Sequence, residues 1–260
     1  QDAILNSSLN LQMSGYLSDS IYIAAAISDN NLPIQPDGTT QNLNEIDKVS
    51  IVFSKHNWKL QLGNFEPLNI YIDIKQYLHE ISQFDNDWVD YLPRTDRPNN
   101  RKALTLTNLP GKSHTDVPSL AVASYAAGRR LSELEFNAPT DVYRACTSLH
   151  PFLNMWQPLG RTFIVQSNTG GYFVPHRDHP SMPRECFRLI VFLNNCGPLQ
   201  YDWLMDDKKA QIQQGQVYYV NTRLTHRTMS WVNNSQHLIL NIPFTTENVQ
   251  KVIANLAHTH

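Results

Sequence analysis

Gly170-Gly171-Tyr172-Phe173-Val174-Pro175-His176-Arg177-Asp178 reads as a short strand that opens on a glycine pair and closes on a histidine and a carboxylate. On an extended chain side chains alternate in direction, so His176 and Asp178 aim at one point from one face. A third donor comes from Gly215-Gln216-Val217-Tyr218-Tyr219-Val220-Asn221-Thr222-Arg223-Leu224-Thr225-His226, a strand and turn that deliver the His226 imidazole. Taken alone a His-x-Asp pair says little in a chain with ten histidines, because short motifs recur by chance.

The flanks give it weight. Beyond Asp178 a polar loop leads into Phe187-Arg188-Leu189-Ile190-Val191-Phe192-Leu193, an apolar strand with one cation near its start. A buried arginine is rare unless paired, so Arg188 is expected to meet an anion. Further strands are expected at 162–166, 172–176, 200–204, 216–220, 227–231 and 238–244, with Gly, Pro and Asn between them. Short strands punctuated in this way predict a mainly β fold with flanking helices: two facing sheets wound into a jelly-roll, the cupin-like double-stranded β-helix. Such a barrel has an open mouth for a ligand. Its interior would bring His176, Asp178, Arg188, His226 and His237 together. Gln166 and Ser167, on the strand before the glycine pair, are expected to face the mouth as substrate contacts.

Residues 161–245 are thus the expected core and 1–160 a mixed helix and strand flank, all within one domain, an ordinary size for a β-rich chain of 260 residues. Strands are expected at 51–54 and 58–62, the second with half-buried alternation. The stretch from Asp29 to Gly38 is turn-rich and closes what precedes it. Apolar residues at helical spacing between Asp73 and Phe84 predict a helix. Helices are also expected over 118–134, over 141–154 behind a Thr140 or Asp141 cap, and over 246–256. The segment 85–116 gathers Arg94, Arg97 and Arg101 around prolines; it reads equally as a solvated connection and as a loop over the site, with Arg97 and Arg101 as substrate-binding candidates. His114 and Asp116 repeat the His-x-Asp spacing within turn-forming residues and without an apolar strand, so they rank second as ligands.

Apolar residues make up 41% of the chain and charged ones 17%, with a formal charge of −2 and a pI near 6.6. That balance offers no electrostatic footprint for nucleic acid or an anionic membrane. No apolar run reaches the length of a membrane span. Cys146, Cys186 and Cys196 cannot all pair within the chain and show no zinc spacing, so they read as small buried hydrophobes in a reducing, cytoplasmic setting.

Two histidines and a carboxylate on one side of a metal leave the opposite positions open, the arrangement of non-heme iron(II) oxygenases. The order Pro175-His176-Arg177-Asp178, Phe187-Arg188-Leu189, the strand to His226, then His237-Leu238-Ile239-Leu240-Asn241-Ile242 resembles iron(II)/2-oxoglutarate dioxygenases. Within them it looks most like the aspartyl/asparaginyl β-hydroxylase branch, which also holds bacterial proline hydroxylases. The resemblance spans 161–244. It implies Fe(II) on His176, Asp178 and His226, 2-oxoglutarate as cosubstrate with Arg188 facing it, and hydroxylation of an amino acid or a peptide side chain. Halogenating relatives lack the carboxylate ligand, so Asp178 favours hydroxylation. The family usually carries an arginine on the last core strand for the far carboxylate of 2-oxoglutarate. The matching position is Ser235, on one face with His237. A hydroxyl and an imidazole stand where a guanidinium is usual, and Arg188 is expected to take over the pairing. A cupin-type metal enzyme without 2-oxoglutarate and a non-catalytic ligand-binding barrel are the rival classes.

Overall fold

A computed structural model describes residues 6–18, 21–33, 48–55, 58–62, 65–91, 100–117, 119–178, 185–206 and 208–256. Where one domain was expected, the chain divides into two compact units, Gln1–Gly63 and Asn64–His260. In the first, β1 (Asn6–Ser18), β2 (Ile21–Pro33), β3 (Lys48–Lys55) and β4 (Trp58–Leu62) form an antiparallel sheet in sequence order. The Ala24-Ala25-Ala26 patch lies in β2, paired with Ser14, Met13 and Gln12 on one side and Val52, Ile51 and Ser50 on the other. β2 also runs through part of the stretch expected as turn. Leu32 and Pro33 find register partners in Ser7 and Asn6, so pairing there overrides turn-forming composition.

The second unit holds β5 (Phe65–Tyr71), β6 (Val89–Asp90), β7 (Arg101–Thr105), β8 (Thr107–Asn108), β9 (Ala138–Pro139), β10 (Thr162–Ser167), β11 (Tyr172–His176), β12 (Cys186–Asn194), β13 (Tyr201–Met205), β14 (Lys208–Lys209), β15 (Gln216–Val220), β16 (His226–Ser230) and β17 (Ser235–Pro243). One sheet is seven-stranded, in the order β5-β15-β12-β17-β10-β7-β6; another is four-stranded, in the order β11-β16-β13-β14. From β10 onward the chain changes sheet at each main connection: β10, β12, β15 and β17 lie in the first, β11, β13 and β16 in the second. That alternation winds the double-stranded β-helix. The core expected at 161–245 recruits β5, β6 and β7 from outside that range.

The glycine pair makes the first crossing between sheets. Gly170 has φ 77°, and a Cβ on Gly171 would lie 2.8 Å from the carbonyl oxygens of Asn100 and Asn168, a turn closed to other residues. In β12, Ile190 and Phe192 point between the sheets into a core with Phe163, Val165, Tyr201, Trp203 and Ile239. Leu189, Val191 and Leu193 are equally buried and, by alternation, face the helical side. Burying such a side chain contributes about 1.5–3 kcal/mol, which fixes the register of the central strands.

Helix Ile74–Ile81 is capped by Asp73, which accepts from the Gln76 N–H at 3.0 Å. Its Tyr77 is fully buried and donates to Gln236 Oε1 at 2.8 Å, docking the helix on β17. Helix Thr246–Asn255 buries Val249 and Val252 behind a Thr245 cap. The expected helix over 118–134 is shorter, Leu120–Ala126, and stops before Gly128 at φ 64°. The expected helix over 141–154 is broken into Asp141–Ala145 and His150–Leu153 with single 3-10 turns. Among the described residues no helix is long and apolar enough to cross a membrane. The three cysteines are free and buried, and burial pushes the Cys146 and Cys186 thiols up to about 12.

Candidate metal centre

β11 and β16 pair antiparallel, and their ends place His176 opposite His226. Between Phe173 and His176 the register slips, so β11 carries an extra residue. Without that bulge the period of two would put Phe173 and His176 on opposite faces; with it both face inward. Pro175 sits in the bulge, where its missing N–H costs no ladder bond. The chain then leaves the strand, and Asp178 is fixed by its N–H donating to the Thr222 carbonyl at 3.0 Å.

One ligand atom from each of His176, Asp178 and His226 lies within 4.8 Å of the others. Both imidazoles are oriented by the backbone. His176 Nδ1 lies 2.8 Å from the Val174 carbonyl and His226 Nδ1 lies 3.0 Å from the Leu224 carbonyl. A carbonyl only accepts, so each Nδ1 carries the proton and each Nε2 keeps its lone pair for a metal. Trp203 lies parallel to the His226 ring, with centroids 5.8 Å apart, and fixes its plane.

Charge states suit a metal as well. Burial and the neighbouring His226 push His176 down to about 4. Burial lowers His226 too, against the pull of Asp178. Burial, the largest single influence, would raise the Asp178 carboxyl, but Arg188 together with His226, Thr222 and His176 outweighs it and holds the group below its ordinary range. Neutral imidazoles and an ionised carboxylate are the forms that bind a divalent cation. An N, N, O donor set of this kind fits Fe(II).

The donors open into a cavity of about 190 Å³ between the two sheets. Its wall includes Phe163, Phe173, Trp203 and Ile239 with three cations, Arg101, Arg161 and Arg188. At roughly six times the ~30 Å³ share of a liquid water, it suits a small molecule. Arg101 comes from β7, buried, with its guanidinium carbon 4.2 Å from the Phe173 ring centroid. Phe173 in turn meets His176 edge-on at 4.1 Å. Arg161 is taken by Glu133, through Nε at 2.6 Å and Nη2 at 3.0 Å; burial would lower its pKa, but Glu133 reverses the shift.

Arg188, expected to take over the pairing with the cosubstrate, lines the cavity, but its guanidinium is engaged by Asp178 and Asn241. Its Nη1 donates to Asp178 Oδ2 at 2.5 Å and its Nε to Asn241 Oδ1 at 3.1 Å. His237 lines the cavity as expected, with Nδ1 3.4 Å from the Tyr201 hydroxyl. Ser235 does not. It is buried, accepting from the Ser230 hydroxyl at 2.8 Å and donating to the Asn195 carbonyl at 2.7 Å. Gln166 faces away from the barrel, as alternation next to inward Val165 requires, and accepts from Gln236 at 2.8 Å. Ser167 points inward, buried opposite Arg101, without lining the cavity. Arg97 lies outside the described residues. The second His-x-Asp is structural: His114 Nε2 meets Asp87 at 3.0 Å, and Asp116 accepts from the Ser113 N–H at 2.9 Å.

Sequence reasoning missed Arg161, Tyr91, Phe173 and Thr228 on the wall, and Glu133 behind it. Arg161 was findable, since it precedes Phe163 and Val165 at the spacing of one strand face.

Likeness to known structures is partial. A prolyl hydroxylase from Trichoplax adhaerens, solved with a hypoxia inducible factor peptide fragment, aligns with a TM-score of 0.40 and 11% identity over 72% of this chain and 86% of its own. A Pseudomonas putida prolyl-4-hydroxylase aligns at 0.36 and 12% over 70% and 92%. A 2OG-Fe(II) oxygenase family oxidoreductase from Burkholderia pseudomallei aligns at 0.35 and 10% over 64% and 79%. No protein-family model and no curated protein matches the sequence.

Proposed function

We propose that the protein is an iron(II)- and 2-oxoglutarate-dependent dioxygenase that hydroxylates an amino acid or a peptide side chain. The observation that carries this reading is the convergence of His176 Nε2, His226 Nε2 and Asp178 on one point at an arginine-lined cavity. Fe(II) with 2-oxoglutarate, when bound, supplies the oxidising power to place one oxygen atom of dioxygen in a C–H bond while the keto acid leaves as succinate and carbon dioxide.

The chain's own residues select and orient. His176, Asp178 and His226 hold the metal from one side, leaving the cavity side for ligands. Arg101 meets the far carboxylate of the cosubstrate in place of the family's arginine at the Ser235 position. It lines the same cavity as the three donors, with Phe173 in contact with both it and His176. Burial lowers the Arg101 pKa, so a carboxylate that pairs with it offsets a desolvation cost. Phe163, Trp203 and Ile239 exclude water from the reacting centre.

Succinate formation from 2-oxoglutarate by protein loaded with Fe(II) and ascorbate, screened over free amino acids and short peptides, tests the reading. Turnover raised by a member of either class supports it. Metal binding with indifference to 2-oxoglutarate would assign the barrel to the metal enzymes that do without that cosubstrate. Activity confined to lipids, sugars or nucleobases would remove the substrate class.

A further inference from the structure

The two oxygens of Asp178 are used differently. Oδ1 lies 3.9 Å from His176 Nε2, on the side where the donors converge, whereas Oδ2 is taken by Arg188 Nη1. Arg188 is held in turn. Its Nε donates to Asn241, its register partner on β17, and its Nη2 lies 4.0 Å from Glu133 Oε1. Asn241 is fully buried; its Nδ2 donates to the Arg161 carbonyl at 2.6 Å and lies 3.5 Å from Glu133 Oε2. Glu133 is clasped by Arg161. The result is one buried chain from Glu133 and Arg161 through Asn241 to Arg188 and Asp178, with two guanidiniums balanced by two carboxylates. Buried charges persist only when paired in this manner.

We infer that Arg188 and Asn241 are positioning residues for the metal: they hold the Asp178 carboxylate so that Oδ1 alone is presented to the cation. The inference rests on the metal-centre part of the proposed function and is independent of 2-oxoglutarate. The torsion that turns an aspartate carboxylate is broad and two-fold, and Asp178 lies beyond the end of its strand. Neither its own rotamer nor its strand fixes the plane. Arg188 does so by holding Oδ2 through Nη1, with Thr222 as a further side-chain partner of the carboxylate, and Asn241 sets the plane of the guanidinium by engaging Nε. Glu133, by neutralising Arg161, keeps a second guanidinium from competing for Asp178. Outer partners of this kind typically change metal affinity 10–100-fold when removed.

The test titrates Co(II) into the metal-stripped full chain, reading affinity and the visible absorption that reports coordination. Arg188→Lys keeps the charge, but a single ammonium cannot meet Asp178 and Asn241 in a planar fork. It is expected to weaken Co(II) binding about 10–100-fold and to alter the absorption. Asn241→Leu is expected to weaken binding by a smaller factor. Because Asn241 acts through Arg188, the double variant should bind no more weakly than Arg188→Lys alone. A folded Arg188→Lys protein with wild-type affinity, or a double variant whose losses add, overturns the inference. Circular dichroism and melting temperature monitor folding, and Asn241→Ser takes the place of Asn241→Leu should the latter not fold. Wild-type protein that fails to bind Co(II) overturns the metal-centre reading itself, a result distinct from tight wild-type binding that the variants leave unchanged.

Discussion

His176 and His226 stand opposite each other across β11 and β16, ring centroids 4.2 Å apart, each with Nδ1 bound to the carbonyl two residues before it. Two imidazoles that converge with their Nε2 lone pairs exposed repel each other, and more so when both are protonated; a shared cation relieves that. Asp178→Ala should therefore weaken Fe(II) or Co(II) binding by more than the ~10–100-fold lost with an outer partner. Arg177→Ala, which removes a side chain bonded to Thr225 at 3.1 Å, should leave it unchanged. Isothermal titration of the two variants decides; equal affinity in wild type and Asp178→Ala would remove the assignment.

Arg101 is the cation through which the cosubstrate reading is most exposed. It reaches the cavity from β7, a strand outside the expected core, and rests on Phe173. Arg101→Ala is expected to raise the 2-oxoglutarate concentration for half-maximal turnover at least about tenfold, or about 1.4 kcal/mol, with metal affinity retained. Unchanged 2-oxoglutarate dependence in a folded variant would place the anchor elsewhere.

The contrast between Arg101 and Ser235 shows where sequence legibility ended. Strand alternation placed His176, Asp178, Arg188, His226 and His237 in one interior, and the structure brings all five to one cavity, because a period of two is enforced by the buried face. Ser235 shares the face of His237 but lies at the start of β17, bonded to Ser230 and Asn195. Face alone does not give depth along a barrel. Arg101 belongs beside β10 through backbone pairing with Ser167, a register that no local pattern encodes. Glu133 sits in a single 3-10 turn with a capping box from Ser132 to Glu135. There the sequence signals a cap, and only tertiary packing reveals the buried partner of Arg161.

That pair carries a stability prediction. Arg161 and Glu133 side chains are 7% and 4% exposed, and removing one member of a buried pair typically costs about 3–5 kcal/mol because the other charge stays buried. Glu133→Ala should lower the unfolding free energy by that order, seen as a lower urea midpoint with little change in the denaturant slope. Arg129→Ala, which breaks the exposed pair with Glu135 and leaves the capping box of Ser132 and Glu135 in place, should leave the midpoint near wild type. Similar midpoints for the two variants would show that the Glu133 pair contributes no more than a surface one.

His237 sets the response to acid. It is buried between the sheets against Phe192, Tyr201 and Trp203. Burial, followed by the charge of Arg101, pushes its pKa down to about 3, whereas an unfolded histidine titrates near 6.5. Between those values the unfolded chain binds a proton that the folded chain refuses, so stability falls as pH falls. The contribution is complete above about pH 6.5 and is lost progressively toward pH 3, amounting to the order of a few kcal/mol over that window. A His237→Gln variant keeps a polar group beside Tyr201 and cannot take up that proton. Its unfolding free energy, measured by urea titration from pH 7.5 down to pH 4, should decline less steeply than that of the wild type. The other histidines contribute to both curves, so the difference between them isolates His237. Parallel curves through the window would show that the imidazole at 237 is protonated in the folded protein as readily as in the unfolded one, and would take away the argument that the barrel interior keeps it neutral.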